Sequence, residues 1–218
     1  MAKVTGPLLS FGAQGAIGGA AVFAKWRGID YARQYVKPAN PQTTAQQANR
    51  TRFAFLREMW KLAPSILIAP WNAFAQGKPF TGMNKFVGEN NRVLNGETDL
   101  QNLIGSPGAK GGLPPTAFAA ATGSGSGEVD VTFTVPTQIP DGWSITSCQA
   151  IAMNDQDPTG IFDGVLVADE DDTAPYEITL TGLTAGGDVV CAGWIKWEKA
   201  DGTTAYSVSI VDTATAGA

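Results

Sequence analysis

The chain has 218 residues, and its composition of 44% hydrophobic and 16% charged residues excludes an intrinsically disordered protein. It contains no histidine, which excludes Ser-His-Asp and Cys-His catalytic pairs and any metal site that uses histidine. Residues 1–110 contain thirteen Lys and Arg and five Asp and Glu. Residues 111–218 contain two Lys and fifteen Asp and Glu. Net charges of +8 and −13 therefore predict a basic half and an acidic half.

No targeting segment is predicted from the sequence. No run of about 18 consecutive apolar residues is present, so no membrane span is predicted. The N-terminus lacks the basic-then-apolar layout of a secretory signal, which predicts a product of the bacterial cytoplasm. The two cysteines, Cys148 and Cys191, lie outside any CxxC or metal-ligand spacing. Buried thiols are favoured there over a disulfide, because cytosolic thiols stay reduced.

The basic half is predicted to contain a β-hairpin and then helices. Residues 20–26 and 30–36 are rich in Val, Phe, Trp and Tyr, and the short connection between them contains Gly28. A helix is predicted over 45–62, because Thr43 or Thr44 can cap its start and Pro64 stops it. Its apolar stripe consists of Phe53, Leu56, Met59 and Trp60. Two shorter helices are predicted over 69–75 and 84–93.

The acidic half is predicted to be a β-sandwich. Residues 105–127 are rich in Gly, Pro and Ser, which is typical of a linker. After them, apolar and polar residues alternate in short runs separated by glycine-containing turns. The predicted strands are 128–135, 143–153, 176–181, 188–197 and 205–211. The predicted domains are therefore a basic attachment domain over 1–104, the linker, and a sandwich over 128–218.

Two segments of the acidic half resemble a known family. Residues 178–191, which read ITLTGLTAGGDVVC, resemble the region between strands E and F of fibronectin type III domains. Residues 197–207, WEKADGTTAYS, resemble the F-to-G hairpin of that family. In the first segment Val189 stands where the family's usual corner tyrosine would fall. The resemblance implies an immunoglobulin-like (fibronectin III-like) sandwich for the acidic half. The predicted fold class is therefore α+β, with an N-terminal β-hairpin and a small helical cluster before an all-β sandwich.

The basic half is similar to small uncharacterised proteins encoded in tailed-phage and prophage genomes. The motifs that carry this likeness are Gly6-Pro7-Leu8, Gly12-Ala13-Gln14-Gly15, Phe23-Ala24-Lys25-Trp26-Arg27-Gly28, Tyr31-Ala32-Arg33, Pro38-Ala39-Asn40-Pro41-Gln42-Thr43 and Ser106-Pro107-Gly108-Ala109-Lys110-Gly111-Gly112-Leu113-Pro114. The likeness implies a virion context, in a particle assembled in the cytoplasm of the bacterial host. It implies no catalytic role for any residue.

Candidate docking residues lie in the predicted hairpin. Trp, Tyr and Arg dominate interface hot spots, and the hairpin combines them with lysine. The candidates are Lys25, Trp26, Arg27, Arg33 and Tyr35. No catalytic, metal or cofactor-binding residue is assigned, and no cofactor is expected.

Three further patterns give weaker hypotheses. The acidic stretch 169–172 is interpreted as a solvated loop, and together with Asp155, Asp157 and Asp163 it offers oxygens for calcium, but no glutamate stands at the twelfth position of a calcium loop. Three tryptophans of the predicted sandwich are candidates for a glycan platform. Trp194 is predicted on the buried face, and Trp143 and Trp197 on exposed surface.

The sequence favours a non-enzymatic virion structural protein that decorates or cements the head. Its N-terminal domain would dock on other virion proteins, either the major capsid protein or tail proteins, and the chain would form a homo-oligomer. One alternative is a tail, neck or collar component. Another is a DNA-binding protein that uses the basic helix over 45–61, although nucleic acid is the less favoured partner. A weak contact with host-surface glycans also stays open, and no membrane partner is expected.

Overall fold

A computed structural model describes residues 2–3, 14–26, 29–37, 39–109 and 112–218. Contacts divide the chain into two compact units, Met1–Thr43 and Thr44–Ala218. No helix among the described residues is long and apolar enough to cross a membrane.

The described residues of the first unit form a four-stranded antiparallel sheet. Its strands are β1 (Ala2–Lys3), β2 (Gly15–Ile17), β3 (Ala21–Trp26) and β4 (Ile29–Gln34), in the order β1-β4-β3-β2. β3 and β4 form the predicted hairpin, with Trp26 opposite Ile29. Gly18 and Gly19 make the turn from β2 to β3 with φ of 50° and 71°, which glycine adopts without strain.

The second unit begins with three helices, α1 (Thr44–Leu62), α2 (Ser65–Ala75) and α3 (Gly82–Val93). Pro64 separates α1 from α2 and stands at the N-cap of α2 in an extended conformation. Thr81 caps α3 by accepting a hydrogen bond from the backbone N–H of Asn84 (3.2 Å). The three predicted helices are therefore confirmed, and α2 begins four residues earlier than predicted.

The rest of the second unit is a sandwich of two antiparallel sheets. One sheet has the order β5-β6-β9, from β5 (Ala117–Thr122), β6 (Glu128–Thr134) and β9 (Glu177–Thr181). The other has the order β8-β7-β10, and both β11 and β12 pair with β10. Its strands are β7 (Trp143–Asn154), β8 (Val167–Asp171), β10 (Asp188–Lys199), β11 (Thr204–Tyr206) and β12 (Ile210–Thr215). This arrangement confirms the predicted α+β class with an immunoglobulin-like, fibronectin III-like sandwich.

The sheet that contains β7 and β10 is covered on both faces. One face packs on the β5-β6-β9 sheet, through a core that includes Val131, Ile195 and Trp197. The other face packs on the helices, where Trp194 shares a core with Trp71. Because both faces are covered, β7 and β10 read as nearly continuous apolar runs. The second unit therefore has three layers: helices, sheet and sheet.

The predicted stripe of α1 is only partly confirmed. Leu56 and Met59 are buried, but Phe53 is 51% exposed and Phe55 is buried in its place. Phe55 meets Phe162 of the β7–β8 loop edge to face, with ring centroids 5.3 Å apart. The helix therefore turns a different edge of its apolar face toward the sandwich.

The structure divides the chain between Thr43 and Thr44, and not at the predicted boundary of 105–127. The indole N–H of Trp71 donates to the carbonyl of Gly105 (2.8 Å), and the hydroxyl of Ser106 donates to the carbonyl of Ser207 (2.6 Å). A Cβ at Gly105 would come within 2.8 Å of the Trp194 ring. The residues that follow also contribute a strand, β5, to the sandwich. Helices and sandwich consequently belong to one unit, and the Gly/Pro-rich segment is packed between them.

Candidate functional site

The predicted docking residues lie on and beside the β3–β4 hairpin. Lys25 and Arg33 are exposed on the two strands, and Tyr35 follows β4 directly and is 44% exposed. Arg27 lies outside the described residues, and of Trp26 only the backbone in β3 is described. The structure thus brings Lys25, Arg33 and Tyr35 to one hairpin.

The two described basic candidates point to opposite faces of the sheet. Across the hairpin Lys25 is opposite Asp30, and Arg33 is opposite Val22. Partners directly across a ladder share a face, and Lys25 and Val22 are three positions apart on one strand, which places them on different faces. Positive charge is therefore spread over both faces of the hairpin and does not form one patch.

Apolar side chains accompany this charge without a core to bury them. None of the described side chains of residues 14–43 is buried. Four large apolar or aromatic side chains are markedly exposed, namely Ile17 (46%), Ile29 (47%), Tyr35 (44%) and Val36 (69%). Exposed apolar side chains that occur together, rimmed by polar residues, are typical of an interaction surface. We call residues 14–37 the docking arm, because basic and uncovered apolar side chains coincide there.

Sequence reasoning missed Ile17, Ile29 and Val36 as members of this surface. Ile29 could have been found, since the two hairpin strands carry apolar residues on both faces, but Ile17 and Val36 lie outside those strands. Such a pattern requires cover on both faces, which a hairpin alone does not provide.

Helix α1 offers less basic surface than the sequence suggests. Arg52 is only 4% exposed, and its guanidinium donates to the side-chain oxygens of Asn91 (2.9 Å) and Asn95 (2.8 Å). Lys61 forms an ion pair with Glu58 (2.8 Å). Arg52 therefore ties α1 to the end of α3 and is not available to a phosphate group. The sequence does not predict this buried contact between helices, because arginine is rarely so deeply buried.

The acidic stretch 169–172 was interpreted as a loop, and this interpretation is wrong for most of its length. Residues 169–171 belong to strand β8 at the edge of the sheet. The Glu170 carboxylate accepts hydrogen bonds from Gln149 Nε2 (2.7 Å) and Ser147 Oγ (2.9 Å) on the neighbouring strand. The hydrogen bond from Gln149 is the main cause that lowers the pKa of Glu170, and burial opposes it. Glu170 thus has a structural role in β8.

The lowered pKa of Glu170 predicts a pH dependence of stability. A carboxyl whose folded pKa lies below its unfolded value of about 4.3 stabilises the fold above that pH, and the contribution disappears as pH falls through the folded pKa. The urea midpoint of unfolding should fall less between pH 7 and pH 3 in Glu170→Gln than in the unchanged protein. Asp141→Asn, at an exposed turn, is the control. Parallel pH profiles for the unchanged protein and Glu170→Gln would contradict the assignment.

The tryptophans of the sandwich do not form a glycan platform of the predicted kind. Trp194 is fully buried, as predicted, but Trp197 is also fully buried and the prediction for it is wrong. Its indole N–H donates to the carbonyl of Leu113 (3.1 Å). Trp143 is partly exposed, and Lys199 Nζ lies 4.7 Å from its ring centroid. Only Trp143 remains for a glycan contact.

The carboxylates considered for calcium hold the loop that follows β7. Asp155 accepts from the backbone N–H of Leu100 (3.0 Å), and Asp157 accepts from that of Thr159 (2.7 Å). Asp163 accepts from Asn154 Nδ2 (2.7 Å). Within the part of the chain that the structure describes, no three His, Cys, Asp or Glu side chains are grouped to hold a metal ion.

The two cysteines are buried free thiols on adjacent strands. Cys148 lies opposite Ile195 and Cys191 lies opposite Ala152, so they are not ladder partners. Burial is the main cause that raises the pKa of each thiol to about 12, and the charges of Asp171 and Asp212 add to it. Both thiols are therefore protonated at neutral pH and unreactive while the sandwich is folded.

We expect neither thiol to react with a disulfide reagent at pH 8 in the native protein, because the thiolate is the reactive form. Labelling should appear only as urea unfolds the chain, with the same midpoint as the loss of tryptophan fluorescence. The measurement is the absorbance of the released thiolate, with Cys148→Ala and Cys191→Ala used to separate the two sites. Rapid native labelling of either site would contradict the buried placement.

A cleft of about 420 Å³ is lined by α2, by α3 and by residues from 101–107 and 208–211. Its walls are largely apolar, from Trp71, Phe74, Pro107 and Val208, and one side carries the ion pair of Lys85 and Glu89. Hydrogen bonds from Lys85 and then Arg92 lower the pKa of Glu89. A carboxylate held in this way is poorly suited to act as a general base near neutral pH.

These features define a class: a fibronectin III-like sandwich with a three-helix layer on one sheet and a basic β-arm. Among solved structures, the chain is similar to a computationally redesigned β-sandwich protein, with 17% identity over 49% of this chain and 91% of that chain and a TM-score of 0.33. It is also similar to the fn3 domain of human collagen alpha-1(XX) chain, with 19% identity over 51% of this chain and 91% of that chain and a TM-score of 0.35. No protein-family model and no curated protein matches the chain.

Proposed function

We propose that the chain is a non-enzymatic structural protein of a tailed-phage virion, a head decoration or cement protein that docks through its N-terminal arm and projects the acidic sandwich. The observation that carries the proposal is the docking arm itself. It joins exposed basic residues, Lys25 and Arg33, to apolar side chains that lack cover, whereas the second unit has cores of its own. Surfaces of this kind mark protein contacts.

The sequence supports the virion setting. Three of the six motifs similar to those of phage-encoded proteins lie in the arm and in residues 38–43, and the others are at 6–8, 12–15 and 106–114. The sandwich half carries fifteen acidic residues against two lysines, and such a surface remains soluble and repels free DNA. The partners would be the major capsid protein or tail proteins, together with further copies of the chain.

The test is the number of copies per purified particle, from quantitative mass spectrometry against the major capsid protein. Hundreds of copies would support head decoration or a tail-tube-like array. Roughly three to twelve copies would place the chain in the tail, neck or collar, where symmetric rings are small. Absence from the particle would refute a virion role. Particles grown with Arg33→Glu should lose copies, whereas Arg57→Glu, the same change at an exposed position of α1, should retain them.

DNA binding is the second candidate, because the arm is basic. It predicts an affinity that falls steeply as salt rises. Burial of Arg52 leaves the predicted helical contact with fewer free cations. A fluorescence titration with duplex DNA at low salt tests it, and no binding there would remove this candidate. A glycan contact through Trp143 predicts that Trp143→Ala abolishes binding to host-surface carbohydrate.

A further inference from the structure

We infer that the docking arm of one copy binds the acidic sandwich of a neighbouring copy, so that copies are linked head to tail. The inference rests on the proposed function and names the partner of the arm within it. The surface that recognises the partner is basic and apolar at once, which requires a partner that is acidic and carries exposed apolar side chains.

Charge is the first observation. Residues 1–43 contain five Lys and Arg, including Lys25 and Arg33, against the single acidic residue Asp30. Residues 111–218 contain fifteen Asp and Glu against Lys196 and Lys199. Opposite net charges on two parts of the same chain favour association between copies, because the attraction steers each arm toward the sandwich of another copy.

The apolar side chains of the arm are the second observation. Ile29 and Val36 are 47% and 69% exposed, and none of the described side chains around them is buried. A sheet with this much uncovered apolar surface gains stability when a partner covers it. Polar phosphate groups would leave these side chains in water, so a protein surface fits the arm better than nucleic acid.

The sandwich offers apolar contact points among its carboxylates. Ile161 is 94% exposed in the loop between β7 and β8, between the acidic residues Asp157 and Asp163. Hydrogen bonds hold this loop in place, since Gln156 Nε2 donates to Asp163 Oδ1 (3.0 Å) and Gln156 Oε1 accepts from the Asp163 backbone N–H (3.1 Å). An isoleucine on a braced, acidic loop complements an arm that carries Ile29 and Val36 beside basic residues.

The segment after the arm has the length to reach a neighbour. Residues 38–43 connect the arm to α1, and the described residues among them are exposed and outside helices and strands. Six extended residues span up to about 20 Å. The arm and the sandwich are different surfaces, so the contact is heterologous and repeats from copy to copy.

The experiment mixes unlabelled and ¹⁵N-labelled full-length protein and treats the mixture with a carbodiimide, which joins amines directly to carboxylates. Peptides that pair the two isotopes report contacts between copies. We expect mixed-isotope links from Lys25 or Lys37 to carboxylates of the sandwich. We also expect Arg33→Glu to weaken self-association at least tenfold by sedimentation, with the matched change Arg57→Glu leaving it within about twofold.

Several outcomes would overturn the inference. The inference fails if cross-linking gives only same-isotope links, or if the mixed-isotope links run from the arm to the helices. It also fails if sedimentation shows a monomer at concentrations up to about 100 µM. The copy number per particle separates this failure from failure of the proposed function. A monomer that is nevertheless present on particles would have a capsid or tail protein as the partner of its arm. Mixed-isotope links from a chain that is absent from particles would retain the inference and refute the virion role.

Discussion

Replacing Trp194 by alanine should lower the free energy of unfolding by about 3–5 kcal/mol. The side chain is fully buried between the helices and the sheet, and its indole N–H donates to Gln149 Oε1 (2.8 Å). Its loss leaves a cavity in the core that joins these two layers, and the Gln149 oxygen loses its indole donor. Gln149 in turn donates to Glu170, so the substitution also loosens edge strand β8.

Urea denaturation measures this effect. Trp143→Ala is the control, because Trp143 is only partly buried, and we expect it to cost less than half as much. If the two substitutions cost the same, Trp194 does not hold the layers together. The free energy of unfolding lost in Trp194→Phe should lie between the losses in Trp194→Ala and Trp143→Ala. Phenylalanine keeps most of the buried volume but removes the indole hydrogen bond.

The second large effect is expected at Arg52. Arg52→Leu should cost about 2–4 kcal/mol, because the guanidinium makes the two hydrogen bonds that connect α1 to Asn91 and Asn95. Arg52→Lys should recover only part of the loss, since an ammonium group cannot reproduce the forked geometry. Thermal and urea unfolding of both variants give the measurement.

Arg57→Leu is the matched control for Arg52, on the exposed side of the same helix. We expect it to change stability by no more than about 0.5 kcal/mol. Equal destabilisation by Arg52→Leu and Arg57→Leu would mean that the buried hydrogen bonds contribute nothing and that charge on α1 alone matters.

The elements that the sequence predicts well are those with a strong local pattern. Alternation of apolar residues locates β6 and β9, and threonine and proline delimit α1. The hairpin of β3 and β4 follows from its aromatic and β-branched residues around a glycine. These signals need no knowledge of distant contacts.

The elements that the sequence predicts wrongly are those whose structure depends on contacts with distant parts of the chain. β8 is acidic and reads as a loop, and it is a strand because β7 supplies ladder partners and side-chain donors to Glu170. The sequence predicts Trp197 on an exposed face, because alternation alone assumes that one face of a sheet contacts solvent. The helices cover that sheet, so Trp194 and Trp197 are buried on opposite sides of it.

The docking arm was only partly predictable for a similar reason. Composition identifies a basic, aromatic hairpin, and Lys25 and Arg33 lie where it predicts. Their separation on two faces depends on the pairing register, in which a shift of one residue reverses every side chain. The exposure of Ile17 and Val36 depends on how much of the chain packs against them, which no local pattern records.

The packing of the Gly/Pro-rich segment has a practical consequence for dissecting the molecule. A fragment that starts at residue 128 looks natural from composition, but it would lack β5 and would expose Trp194 and Ile151 to water. Such a fragment would aggregate and would misreport the properties of the sandwich. The smallest piece that retains both cores starts at Thr44, so fragments should be cut before α1 and fusion partners should be joined there.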